Sequence, residues 1–165
     1  WTPPHFWALA LYRSGDYQKV GVPMLPNIKG AKRTILEMKA YSFFLVIISF
    51  APSIAFNDEI ADSRAYYMLS LTMLGLGIWY GSTIWRISIS REKDEDGKIS
   101  GASNSFFVSL LYLALMFITL VSASFGTIGA ILGAMFSVSS VILKLSLISL
   151  STKDRFSVSD IAIYD

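Results

Sequence analysis

The chain has 165 residues, of which 53% are apolar and only 16% charged, with a net charge of +2 and no cysteine. A soluble domain of this length carries about a quarter charged residues, so the composition excludes the ordinary soluble case. The small net charge leaves no nucleic-acid footprint, and the lack of cysteine removes disulfides, zinc–thiolate sites and thiol catalysis.

In chain order, the first element expected is a helix over Thr2–Tyr12, the end of a membrane span. No secretory signal is visible, and a start without methionine inside an apolar run reads as a piece of a longer protein. Thr2 can cap this helix with Pro3 in its first turn, where the missing N–H costs nothing. If the helix instead continues from upstream residues, Pro3 and Pro4 kink it. It should end at Arg13-Ser-Gly15, with Gly15 in a left-handed position, and Asp16 and Tyr17 should begin an extended loop through Gly21, Pro23 and Pro26.

Three uncharged stretches follow: Ala40 to Asn57, Ala65 to Trp85, and Ile99 to Leu143. A transmembrane helix takes about 20 apolar residues, so the first two suit one span each and the third is too long for one. The small-residue run Ser122 to Gly129 divides it into spans near 105–121 and 127–143. Pro52 should kink its helix. The expected fold class is therefore all-α, a multi-span transmembrane helical bundle with four full spans and the end of a fifth. Residues 1–150 form one membrane domain and 151–165 a cytoplasmic tail, either a short surface helix or disordered. Ten-residue alternation, the mark of a β-barrel, is absent. Gly77 with Gly81, and Gly129 with Gly133, have the four-residue spacing that lets helix backbones approach.

Loop charges alternate. Residues 13–39 hold Arg13, Lys19, Lys29, Lys32, Arg33 and Lys39; the next loop, Asp58 to Arg64, is mostly acidic; the one after is basic at Arg86, Arg91, Lys93 and Lys98. The positive-inside rule places residues 13–39, residues 86–103 and the C-terminus in the cytoplasm of a multi-pass plasma-membrane protein.

His5 is an ionisable group at membrane depth, which is a functional candidate by default or else a histidine satisfied by a neighbouring helix. Arg13 and Asp16, at the helix end, suit diphosphate chemistry: a guanidinium forks onto phosphate, and one carboxylate with substrate phosphates can hold Mg²⁺. Their alternative role is an interfacial anchor pair. Glu92 to Gly97 is a failed calcium loop, since Ser103 stands where a glutamate belongs.

The opening thirty residues, "WTPPHFWALALYRSGDYQKVGVPMLPNIKG", resemble the signature of the protoheme IX farnesyltransferase (heme O synthase) family of UbiA-type intramembrane prenyltransferases. Phe106, Ser109, Leu111, Tyr112 and Leu113 are similar to its FxxSxLYL segment. The resemblance implies transfer of a farnesyl group from farnesyl diphosphate to a vinyl group of heme b, with Mg²⁺ as cofactor and heme b as a substrate. It also implies a lipid-bilayer setting and partners in heme A synthase or terminal oxidase assembly. On this resemblance His5, Arg13 and Asp16 are the expected catalytic residues, with Asp16 also an expected metal ligand. Trp1, Phe6, Trp7, Tyr17 and Lys29 are expected to bind substrate. The family's NxxxDxxxD metal motif lies upstream of the matching region and is not in this sequence, so the chain alone is expected to be inactive. The alternatives are another UbiA-type enzyme acting on a quinone precursor or chlorin, and a non-catalytic scaffold for oxidase assembly.

Overall fold

In a computed structural model the described residues are 1–51, 63–87, 99 and 101–161, with 151–161 described as backbone only. The helices among them are α1 (Thr2–Tyr12), α2 (Ser14–Lys19), α3 (Leu25–Ser49), α4 (Ser63–Trp85), α5 (Ala102–Ala123) and α6 (Gly126–Ile161). α1 packs on α3 and α5, α3 on α4, and α4 on α5, so these four close a ring; α6 lies outside it against α4 and α5. Leu11 of α1, Met38 of α3, Tyr80 and Ile84 of α4, and Val108 and Leu115 of α5 fill the centre.

Several local expectations are corrected. Thr2 makes no capping hydrogen bond at the start of α1. Pro3 and Pro4 lie in the first described turn of α1. α1 ends at Tyr12, and Ser14–Lys19 forms a short helix in place of an extended loop. Gly15 is not left-handed; the turn out of α2 falls instead at Gly21, with φ 69°. Asp16 in its first turn and Lys19 in its last match the helix dipole, a local gain the proline-rich context obscures.

α3 begins at Leu25, well before the uncharged stretch, because Pro26 sits in a first turn where its ring is tolerated. Gly30 (φ 81°, ψ 157°) breaks it early, a conformation only glycine adopts cheaply. It stops at Ser49, where the Phe50 N–H turns back to the Ile47 carbonyl oxygen. The expected kink at Pro52, the acidic 58–62 segment and the 92–97 stretch lie outside the described residues.

The break between the last two helices falls where expected, at Gly126 with φ 80°. α6 then runs past Lys144 to Ile161, so its backbone crosses the expected boundary at residue 150 without interruption.

Three of the four paired glycines, Gly77, Gly129 and Gly133, sit at close approaches, while Gly81 has only ordinary contact with Val46. A Cβ on Gly77 would lie 3.0 Å from Ser49 Oγ, and one on Gly133 2.7 Å from Ser122 Cβ; one on Gly129 would strike the Ser122 carbonyl oxygen. Small residues thus seat α4 on α3 and α6 on α5.

The interior mixes an apolar core with small hydroxyl side chains, while many large apolar side chains face outward. Buried positions include Thr34, Ser42, Ser49, Ser70, Thr83, Ser105, Ser109, Thr119 and Ser137. Meanwhile Phe43, Phe44, Ile47 and Ile48 of α3 and Leu132, Met135 and Phe136 of α6 are exposed. Apolar patches of that extent are rare on a water-facing surface, and each buried hydroxyl can bond to its own helix, as Ser49 and Thr119 do with Leu45 and Leu115. α5 and the 126–150 part of α6 are long and apolar enough to cross a bilayer. The molecule is an all-α membrane protein.

Candidate functional site

α1 presents His5 to α5. Its imidazole is 8% exposed and sits between two aromatic planes: Trp1 at 4.5 Å and 20° on one side, Phe106 at 4.8 Å and 26° on the other. Phe6 meets the ring edge at 5.4 Å and 77°. Nδ1 lies 2.6 Å from Ser109 Oγ, and the Trp1 indole N–H donates to the Ser109 carbonyl oxygen at 2.8 Å. Ser109 therefore holds both α1 aromatic rings, one through its side chain and one through its backbone. Phe106, Ser109 and Tyr112 are three apart in turn, which puts them on one helical face.

Below this pair the polar seam continues. Tyr80 and Tyr112 stack at 5.0 Å and 25°, and Tyr112 Oη lies 2.7 Å from Ser49 Oγ. Tyr80 Oη is enclosed beside the Ser109 side chain, without a hydrogen bond of good geometry.

Arg13 and Asp16 come together, but not with His5. Arg13 Nη1 donates to Asp16 Oδ2 at 3.2 Å, with both side chains more than half exposed. The guanidinium also lies over the Tyr12 ring at 5.5 Å. His5 and Arg13 mark opposite ends of α1, about 12 Å apart along its axis. One end is aromatic and dry; the other is charged and wet.

The remaining candidates disperse. Phe6 is 53% exposed, so it closes the His5 site only by its edge. Trp7 turns away to meet Tyr41 of α3 at 5.3 Å and 85°. Tyr17 is half-buried on α2, and Lys29 is exposed beside the Gly30 break. The expected metal role of Asp16 gains no support: its carboxylate is paired with Arg13, and the described residues contain no cluster of three His, Asp or Glu side chains. Those residues do not by themselves fit a Mg²⁺ ion, which needs further oxygen ligands.

Residues missed as site members are Phe106, Ser109, Tyr112, Tyr80 and Ser49. The first three carry a signal in the FxxSxLYL-like segment. Tyr80 and Ser49 carry none, since an isolated tyrosine or serine in an apolar helix reads as packing.

The described fold and site thus define an all-α membrane protein with an aromatic-enclosed histidine and a charged rim at the two ends of one helix. The relatives narrow this. The chain is 44% identical over 118 residues to the protoheme IX farnesyltransferase of Parvibaculum lavamentivorans, covering 71% of this chain and 34% of that protein. It is 43% identical over 118 residues to that of Bordetella pertussis (71% and 35%), and 40% identical over 123 residues to that of Methylocella silvestris (74% and 36%). The resemblance seen in the opening residues thus extends over most of the chain. The chain spans about a third of the length of the curated relatives it matches. No family model matches it, and no solved structure matches it.

Proposed function

We propose that this chain is part of an intramembrane prenyltransferase that transfers the farnesyl group of farnesyl diphosphate to a vinyl group of heme b, giving heme O. The observation that carries the reading is the division of α1: an imidazole enclosed by Trp1 and Phe106 at one end, and the Arg13–Asp16 pair at the other. The substrates have the same division, each being a greasy body with an anionic head. The names of the relatives support the same reading.

In this proposal the Arg13 guanidinium takes the diphosphate. Asp16 engages one of its nitrogens and leaves the others free to fork onto phosphate oxygens. Lys29 adds a mobile positive charge nearby, and Tyr17 orders the rim. Departure of diphosphate leaves an allylic cation, and the vinyl π-electrons of heme b attack it. Trp1, Phe106 and the edge of Phe6 supply flat apolar walls that align a planar macrocycle and exclude stray water. Trp7 supports this wall by bracing α1 on α3.

The bilayer setting is part of the proposal. The exposed apolar faces of α3 and α6 face lipid, the chain crosses the membrane several times, and the basic 13–39 segment lies on the cytoplasmic side of the plasma membrane. Heme A synthase or a terminal oxidase assembly would receive the product.

The test is a membrane assay of the full-length protein that contains this segment, with heme b and farnesyl diphosphate, and with products identified by mass. A farnesylated, hydrated heme supports the reading. Farnesylation of a quinone precursor or chlorin instead, or no transfer at all, overturns it.

A further inference from the structure

The bonds around Ser109 assign a proton. Its Oγ lies 2.6 Å from the Phe106 carbonyl oxygen and 2.6 Å from His5 Nδ1. A carbonyl oxygen only accepts, so the single hydroxyl hydrogen is spent on Phe106, the ordinary back-bond of a helical serine. Toward His5, Oγ then offers a lone pair, and Nδ1 must carry the hydrogen. In a neutral imidazole the other nitrogen, Nε2, is left as an acceptor.

No described residue bonds that nitrogen. The ring cannot easily turn to swap its nitrogens, because Trp1 and Phe106 stack on its two faces. Trp1 is itself pinned to the Ser109 backbone.

We propose that Ser109 is a positioning residue that holds His5 as the Nδ1–H tautomer, so that the Nε2 lone pair accepts the proton of the water that ends the transfer. The inference rests on the function proposed above. In that step the vinyl carbon bonded to the porphyrin bears the positive charge after C–C bond formation. Water oxygen bonds to that carbon, one water O–H bond breaks toward Nε2, and the products are a hydroxyl group on the heme side chain and an imidazolium. The imidazolium keeps its Nδ1–H bond to Ser109 and gives up the extra proton to water, so the residue is regenerated.

The signals of the His5 ring can be isolated by difference. Full chain labelled with ¹⁵N-histidine is compared with its His5→Gln variant, and the difference spectrum reports both ring nitrogens of His5. The expected result is a protonated Nδ1 and a bare Nε2. Ser109→Ala should lose that single tautomer and lower turnover roughly a hundredfold, the scale of a misplaced catalytic group, with the KM for farnesyl diphosphate unchanged. Ser109→Thr, which keeps the hydroxyl, should restore both. A bare Nδ1 in the unsubstituted chain, or a Ser109→Ala protein with the same tautomer or undiminished turnover, overturns the proposal. A chain with the expected tautomer that never farnesylates heme b overturns the functional reading, and with it the task given to Nε2, but not the hold of Ser109 on the ring.

Discussion

Tyr112 and Ser49 join hydroxyl to hydroxyl at 2.7 Å across the diagonal of the ring, linking α5 to α3, two helices that otherwise do not pack as neighbours. Ser49 also donates to the Leu45 carbonyl oxygen, so its hydrogen is used locally and Tyr112 is the donor across the ring.

Tyr112→Phe should therefore cost about 1 kcal/mol, the net worth of one hydrogen bond inside a membrane protein, while keeping the stack on Tyr80. Ser49→Ala should cost a similar amount, and the double variant less than the sum, since both remove the same bond. Reversible unfolding in mixed detergent micelles measures all three; strictly additive losses would mean that the diagonal bond carries no stability.

The α5–α6 seam should be the most sensitive to side-chain size. Gly133→Leu would place carbon where Ser122 Cβ already stands at 2.7 Å from the added Cβ. Thr119 and Ser137, whose hydroxyls meet at 2.8 Å across the same seam, provide the readout, because the chain has no native cysteine. A Thr119→Cys, Ser137→Cys pair should cross-link under mild oxidation, and adding Gly133→Leu should abolish the cross-link. Persistent cross-linking would show that the seam tolerates the added bulk.

Arg13→Ala should separate function from stability. Its pair with Asp16 is exposed, and such pairs are worth about 0–1 kcal/mol, so unfolding should barely change. In the farnesyl transfer assay the KM for farnesyl diphosphate should rise about tenfold or more, because a charge-assisted contact to the diphosphate is lost. An unaltered substrate dependence would reduce Arg13 to a membrane anchor.

His5→Ala should leave membrane insertion intact, since α1 keeps its buried Ala8, Ala10 and Leu11. Formation of heme O should fall by about a hundredfold or more, the usual scale for loss of a general base. Quantitative product analysis by mass checks this; unchanged turnover would remove His5 from the chemistry.

What could be read from the sequence was what local chemistry determines. The bounds of α1, the turn at Gly126 and the close approaches at Gly77 and Gly133 follow from prolines, a run of small residues and glycine spacing. α2 was hidden because a six-residue helix has no periodicity to detect, and Gly15 within it reads as a stop. The start of α3 was hidden because its first turns carry Lys29, Lys32 and Arg33, which look like a loop. In the site, His5, Arg13 and Asp16 stood out as charges beside an apolar run. Their arrangement did not: the bond from His5 to Ser109 spans 104 positions, and only packing of α1 on α5 creates it.

The apolar outer face also dictates how the molecule must be handled. With phenyl and butyl side chains facing outward on α3 and α6, the bare outer surface would drive clumping in plain buffer. A collar of amphiphile around the α3 and α6 faces is thus part of its working environment, and the tail length of that amphiphile should govern its shelf life.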